Sequence, residues 1–241
     1  MPLPEIVEAQ LPLTVHDFMQ LCLQHPQHGY YRKARAVGAE GDFITAPEIS
    51  QIFGDLIGLW LRDIWQQSGE PEFHLVELGP GRGTLAADVL RHLPECSLHL
   101  VESNATLKEI QREKLWKYQP QWHDDLATLP DDKPLYMIAN EFFDAFPIRQ
   151  WVGEEERKVV AGFAFAPTGE VTREQCPQAE NIMADICGRL TAQGGVLLAV
   201  DYGYFQEAQK DTLQAVKDHC YHNPLEDVGE ADLTSQVDFG A

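Results

Sequence analysis

Leu75-Val-Glu-Leu-Gly79-Pro-Gly81-Arg-Gly83-Thr84 is the stretch on which the fold turns. Apolar Phe73–Leu78 predicts a buried strand, and Thr84–Leu93 has the apolar spacing of a helix. Three alternating glycines lie between them. Glycine reaches backbone angles closed to other residues and lets a ligand approach the main chain. The helix start offers free N–H groups and a positive partial charge, which favours a carboxylate or phosphate. Nineteen residues past Gly83, after a second predicted strand at Leu98–Val101, stands Glu102. An acid there can accept both hydroxyls of a ribose. A tight βα turn without a ligand is the plainer alternative, but glycines, helix start and second acid all fall in register.

Outward from this turn, strands and helices alternate. Ala105–Tyr118 predicts a helix, Leu135–Ala139 a strand, Ala179–Leu190 a helix and Val196–Val200 a strand. Ile148–Val152 and Lys158–Phe165 predict a hairpin turning near Gly153. Buried β-runs alternating with helices imply an α/β fold with a doubly wound parallel sheet. On the N-terminal side, Thr14 caps a helix that runs to Gln24 and stops at His25-Pro26. Pro47 opens a second helix, with Ile49, Ile52, Phe53, Leu56, Trp60 and Ile64 as its apolar face. Within it, Gly54-x-x-x-Gly58 predicts a close helix contact. The expected organisation is a helical appendage over 1–70 and a Rossmann-like domain over 71–241. The final forty residues are polar and predict no closing element.

Composition narrows the partners. The 241 residues are 44% hydrophobic and 23% charged, the balance of a globular protein. A net charge of −20 argues against nucleic acid and against anionic lipid, and suits a basic peptide. Five cysteines, an odd number without C-x-x-C spacing, predict neither a disulfide framework nor a zinc site. Histidines without ligand spacing predict no metal. No apolar run is long enough for membrane insertion, and the first residues resemble neither a signal nor a transit peptide. A cytoplasmic location is the expectation.

Two nucleoside cofactors compete for the glycine turn. The dinucleotide fingerprint needs glycine or alanine where Thr84 stands. A P-loop needs a Gly-Lys-Ser/Thr that is missing. Glu77 before the loop gives Glu-x-Gly-x-Gly-x-Gly, which resembles the first motif of S-adenosylmethionine-dependent methyltransferases. In that resemblance Glu77, Gly79, Pro80, Gly81, Gly83 and Thr84 surround the cofactor's amino-acid end, and Glu102 holds the ribose. Asp124 or Asp125 stands near the adenine amino group, with an ordinary acidic turn equally open. Asn140, Glu141 and Asp144 follow the third strand, where open α/β sheets bind ligands; a helix cap is the alternative for Asn140 and Asp144.

The whole set then resembles one family. His28-Gly-Tyr-Tyr31, Gly41-Asp-Phe-Ile-Thr-Ala-Pro-Glu-Ile-Ser50, Val76–Thr84, Asn140-Glu-Phe-Phe-Asp-Ala-Phe-Pro147 and Asp201-Tyr-Gly203 occur in the order of the MidA-type methyltransferases. That family includes the mitochondrial arginine methyltransferase that assists assembly of respiratory complex I. The resemblance implies a class I Rossmann-like methyltransferase fold, S-adenosyl-L-methionine as donor and S-adenosyl-L-homocysteine as product. It further implies symmetric dimethylation of a protein arginine, in family members on a respiratory-complex subunit. Two departures stand out: the family's closing strands lie past the point where this sequence stops, and a bacterial-type cytosolic member fits better than a mitochondrial one.

A guanidinium stays protonated and pairs with carboxylates in planar hydrogen bonds. Glu141 is the first candidate to orient it, Asp144 the second and Glu48 the third. Gly41, Asp42, Phe43, Thr45 and Pro47 form a shaped loop that covers cofactor or substrate. Two other functions stay open: a catalytically weak or inactive S-adenosylmethionine-binding assembly or interaction module, and an NAD(P)-dependent oxidoreductase on a Rossmann sheet.

Overall fold

The computed structural model describes residues 1–32, 45–205 and 211–241. Gly41, Asp42 and Phe43 of the expected covering loop lie outside the described residues. Helix α1 (Leu3–Glu8) and strand β1 (Leu13–Thr14) precede α2 (Val15–Gln24). Thr14 caps α2 as expected, its hydroxyl accepting from the Asp17 N–H at 3.1 Å. Next come α3 (Ala46–Ile49), α4 (Gln51–Gln67), β2 (His74–Leu78), α5 (Thr84–Val89), β3 (Ser97–Val101), α6 (Ala105–Leu115), β4 (Gln121–His123) and β5 (Leu135–Asn140). Five short strands follow: β6 (Arg149–Val152), β7 (Glu155–Glu156), β8 (Lys158–Val160), β9 (Ala164–Ala166) and β10 (Arg173–Gln175). Helix α7 (Pro177–Gln193) leads into β11 (Gly195–Val200). The chain then makes β12 (Gly203–Tyr204), β13 (Gln214–Lys217), β14 (Cys220–His222), β15 (Asp232–Thr234) and β16 (Val237–Asp238).

The chain packs into two compact units that interleave along the sequence. One takes Met1–Phe43, Phe143–Asn181 and Asp201–Ala241; the other takes Ile44–Phe142 and Ile182–Val200. Helix α4, placed by its sequence position in the N-terminal appendage, packs in the second unit.

The second unit carries a five-stranded parallel sheet in the order β11-β5-β2-β3-β4. Strands are added outward from β2 to β4, and β5 and β11 then lie on the other side. The order therefore reverses between β2 and β5, which puts the ligand crevice of such sheets at their carboxyl ends. This is the doubly wound class I arrangement that the sequence predicts. Among the described residues no strand joins the sheet beyond β11. Leu75, Val76 and Leu78 are fully buried, and on one face of the sheet Leu75 packs in a cluster with Ile57 and Leu61 of α4, Val89 of α5 and Leu115 of α6. Burying a side chain of this size contributes about 2 kcal/mol.

Helix α4 presents only part of the face its periodicity predicts. Phe53 and Ile64 pack against the core, but Ile52, Leu56 and Trp60 face outward, as does Ile49 of α3 (71% exposed), and Gly54, Ile57, Gly58 and Leu61 are buried instead. The two glycines decide it. A Cβ at Gly54 would stand 2.5 Å from the Asp88 Cβ, and one at Gly58 would stand 2.8 Å from the Val89 carbonyl oxygen. Close approach of α4 to α5 gains more contact than the larger side chains on the neighbouring stripe would. Gly54→Val should therefore destabilise the protein by about 2 kcal/mol, measured by urea unfolding. Gly188→Ala, in α7 with open space at its Cβ, should stabilise it by about 0.5–1 kcal/mol.

Three further expectations are corrected. The helix after the glycine loop ends at Val89, four residues early, and continues as turns. The predicted hairpin turns at Gly153, but its second arm is only β7; β8 leaves to pair with β1 and β9. Arg157 marks the break, with its N–H on the Gln150 oxygen at 2.8 Å and its guanidinium 3.8 Å over the Phe165 ring. The final forty residues do form structure: β13 pairs antiparallel with β14 and β15, burying Ala215, Val216 and Leu233. Each run is too short to show its alternation against polar neighbours. These segments build the first unit, around α2 residues Val15, Phe18, Met19 and Leu23.

Candidate active site

The three glycines of the loop after β2 are each left-handed, with φ of 60° at Gly79, 52° at Gly81 and 75° at Gly83. Two of the three glycines also lack room for a side chain. A Cβ at Gly79 would lie 2.8 Å from the Phe142 ring, and one at Gly83 2.9 Å from Leu115 Cδ1. The Gly83 N–H donates to the Pro80 carbonyl at 2.7 Å, closing the turn before α5. Pro80 is buried and the Gly79 backbone is exposed, so a ligand can reach the loop at its first glycine.

Glu77, one residue before the end of β2, is 3% exposed. Its carboxyl accepts from the Ala86 N–H in α5, and its Oε2 is buried without a partner. Burial pushes its pKa up to about 8, against the smaller opposing effects of the Ala86 N–H and Lys114. Asn140 Oδ1 is likewise buried and unpartnered. Glu77 stands opposite Ile138 in the β2–β5 pairing, and Asn140 is two residues further along β5. The two side chains therefore share a face of the sheet. Two buried acceptors that lack a donor beside a glycine loop suit an ammonium group, such as the amino-acid end of S-adenosylmethionine.

Glu102, just past β3, is half-buried, and burial raises its pKa. It accepts from the Asn104 N–H at 2.7 Å and from Gln111 Nε2 at 3.4 Å. Thr84 donates to Glu48 and accepts from Lys114 Nζ at 2.5 Å. Glu48 is thus tied to the first residue of α5. Thr45 stands at the N-cap position of α3 without a side-chain cap bond, and Pro47 is buried in α3's first turn. The helix expected to open at Pro47 is two helices, because Ser50 restarts the chain as the cap of α4.

The two acids after β4 separate. Asp124 is an exposed partner of Lys108 Nζ at 2.6 Å, a bond that lowers its pKa. Asp125 caps a 3-10 turn, accepting from the Ala127 N–H at 2.9 Å.

At the end of β5, Glu141 has a φ of 47°, and its N–H donates to the Val200 carbonyl at 2.8 Å. A non-glycine residue in the left-handed region is strained, and such strain concentrates at functional positions. The chain passes from the second unit to the first between Phe142 and Phe143. Asp144 is consequently a residue of the first unit. It is buried there, and with Asp232 it acts on Tyr31, whose phenol burial holds well above its usual range. The cap in this motif comes from elsewhere: Asp201 Oδ2 accepts from the Phe143 and Asp144 N–H groups at 2.9 and 3.3 Å.

Three residues of the second unit escape sequence reasoning: Gln111, Lys114 and Phe142. A glutamine or lysine in a helix pattern reads as surface, and Phe142 reads as core. Only contact with the glycine loop marks them.

Comparison with known proteins places this geometry. A family model described as "Putative S-adenosyl-L-methionine-dependent methyltransferase" matches residues 56–164 and 155–241. The mitochondrial protein arginine methyltransferase NDUFAF7 homolog of Drosophila melanogaster is 36% identical over 95% of this chain and 65% of its own length. The human mitochondrial protein arginine methyltransferase NDUFAF7 is 34% identical over 95% of this chain and 64% of its own. The chain thus spans about two thirds, slightly less, of the curated relatives it matches. The crystal structure of an uncharacterized superfamily protein from Burkholderia thailandensis matches 98% of this chain and 71% of that one, at 26% identity and a TM-score of 0.77. One expectation falls with these findings: the cytoplasmic location, since the relatives are mitochondrial proteins. With a family match over most of its length and relatives identical at about a third of the aligned positions, the chain belongs to this S-adenosyl-L-methionine-dependent methyltransferase family.

Proposed function

We propose that the protein transfers the methyl group of S-adenosyl-L-methionine to an arginine of a protein substrate. The observation that carries this is the pair of buried, unpartnered acceptors, Glu77 Oε2 and Asn140 Oδ1, beside the three left-handed glycines. The cofactor, when bound, supplies an electrophilic methyl carbon. Glu77 and Asn140 would hold its ammonium, and Glu102 would hold its ribose hydroxyls. Glu141 accepts from the substrate guanidinium and orients it for in-line attack, since positioning supplies much of the rate in such a displacement. The net charge of −20 favours a basic segment around the target arginine. The relatives' names support arginine as acceptor. One methyl on each terminal nitrogen, the symmetric product, is the finer form of the proposal.

The test has two stages. S-adenosylhomocysteine at about a hundred times its Kd should raise the Tm by roughly 5–10 °C, and NADH should not. Labelled S-adenosylmethionine should then mark arginine in a cognate extract, and fragmentation mass spectrometry should find single methyls on both terminal nitrogens. Binding without transfer would favour an assembly module. Stabilisation by NADH alone would overturn both.

A further inference from the structure

We infer that Gln111 is a positioning residue that locks the glycine loop and the ribose-binding acid into one cofactor site. Its side chain is 0% exposed and its amide uses both ends. Nε2 donates to the Gly81 carbonyl at 2.8 Å and to Glu102 Oε2 at 3.4 Å. Oε1 accepts from Trp122 Nε1 at 2.8 Å. An indole nitrogen only donates, so Trp122 fixes which end of the amide is oxygen and turns the two N–H bonds toward the loop and the acid. The two N–H bonds thus have one target each.

The arrangement joins three strands' ends through one side chain. Gly81 follows β2, Glu102 follows β3 and Trp122 lies in β4. Helix α6, which carries Gln111, also presses Leu115 against Gly83 where no Cβ would fit. Arg112 of the same helix stacks 4.8 Å over the Trp122 ring. A buried polar network with every member satisfied is rigid, and rigidity here fixes the spacing between loop and acid before any ligand arrives. Without Gln111, Glu102 would keep its bond from the Asn104 N–H but lose the side chain it shares with the glycine loop, and the Gly81 carbonyl would lose the Gln111 donor.

This inference rests on the proposal that Glu102 holds the ribose, so the experiment separates the two. S-adenosylhomocysteine affinity is measured by calorimetry for wild type, Glu102→Ala, Gln111→Leu, Gln111→Glu and the double variant Gln111→Leu/Glu102→Ala. Gln111→Leu keeps the volume and removes the bonds; it should weaken binding about tenfold. In the double variant the losses should not add, since both act through the same acid. Gln111→Glu supplies a readout that simple packing would not move. At pH 8 the introduced carboxylate faces Glu102 and the Gly81 oxygen and should weaken binding about thirtyfold. At pH 5.5, once protonated, it can donate again, and the gap to wild type should shrink to about threefold. The other charged groups near it are Lys108, which acts on Glu102, Arg112 on the Trp122 ring and Lys114, which acts on Glu77, all on α6, and none of the three titrates in this range; Glu77 of β2, lifted to about 8, does titrate, in wild type and variant alike, so the readout is the gap between the two proteins at each pH. In the ligand-free protein, the Trp122 indole N–H should exchange faster with solvent in Gln111→Leu than in wild type, an NMR readout independent of cofactor. Wild-type affinity in Glu102→Ala would overturn the ribose assignment and with it the coupling. Weakened Glu102→Ala with unchanged Gln111→Leu, or losses that add, would overturn the role of Gln111 alone. Should Gln111→Leu fail to fold, a pH-independent deficit in Gln111→Glu would overturn it.

Discussion

Glu141→Gln is expected to lower kcat for methyl transfer by about a thousandfold while S-adenosylhomocysteine binds with wild-type affinity. The substitution keeps shape and one acceptor oxygen, and so keeps the strained turn at φ 47° with its N–H on Val200. It removes the charge that a guanidinium needs for a paired, charge-assisted contact. Loss of that contact costs orientation and electrostatic stabilisation together, which is why the effect is large. Rapid-mixing transfer assays with a basic arginine peptide, alongside calorimetry, read the two quantities separately. Wild-type turnover in Glu141→Gln would remove the residue from the mechanism. Weaker cofactor binding would move it to the cofactor's side of the site.

Glu77→Gln should have the largest effect on stability, and its sign is opposite to that of most acid substitutions. Burial lifts the folded-state pKa of Glu77 from 4.5 to about 8. The unfolded chain therefore gives up this proton first as pH rises. Folding stability from this group falls from about pH 4.5 and levels off above about pH 8. An uncharged amide keeps the oxygen that accepts from the Ala86 N–H and has nothing to ionise. The ligand-free variant should match wild type near pH 4 and exceed it by up to about 4 kcal/mol at pH 9. The same variant should bind S-adenosylmethionine about tenfold more weakly, because a cationic ligand stabilises the carboxylate that the empty site disfavours. Urea unfolding at several pH values checks the first part, and calorimetry the second. Parallel pH curves for the two proteins would show that Glu77 ionises freely.

The sheet was legible in the sequence because its signals are local. Leu135–Ala139 and Val196–Val200 are continuous apolar runs, Phe73–Leu78 and Leu98–Val101 are apolar apart from His74, Glu77 and His99, and the glycine loop needs angles that its residue types announce. Strand β4 was not legible: Gln121–His123 has three residues and too little pattern to read. The α4 face misled because periodicity ranks side chains by size, and here two glycines make the closest contact. In the site, Glu77, Glu102 and the glycines could be chosen by type and spacing. Gln111 could not, since its three partners come from residues 81, 102 and 122, and nothing in a helix sequence says which polar side chain turns inward. Asp144 read as a neighbour of Glu141 in the chain, and the passage between units after Phe142 assigns it to different company. Asp201 was quoted in a motif, but its service to the 143 and 144 amides lies 57 and 58 residues away in sequence.

The interleaving of the two units has a consequence for how the polypeptide can be divided and assembled. The chain changes unit after residues 43, 142, 181 and 200. Neither half can be lifted out by a single cut, and a protease nick after residue 142 or 181 leaves both halves with strands supplied from each side of the nick. Strand β11 finds β5 only after the intervening span from residue 143 to 181 has been looped out. Closing so long a loop adds to the entropic barrier, so maturation of the sheet's outer edge should be a late event governed by distance along the backbone.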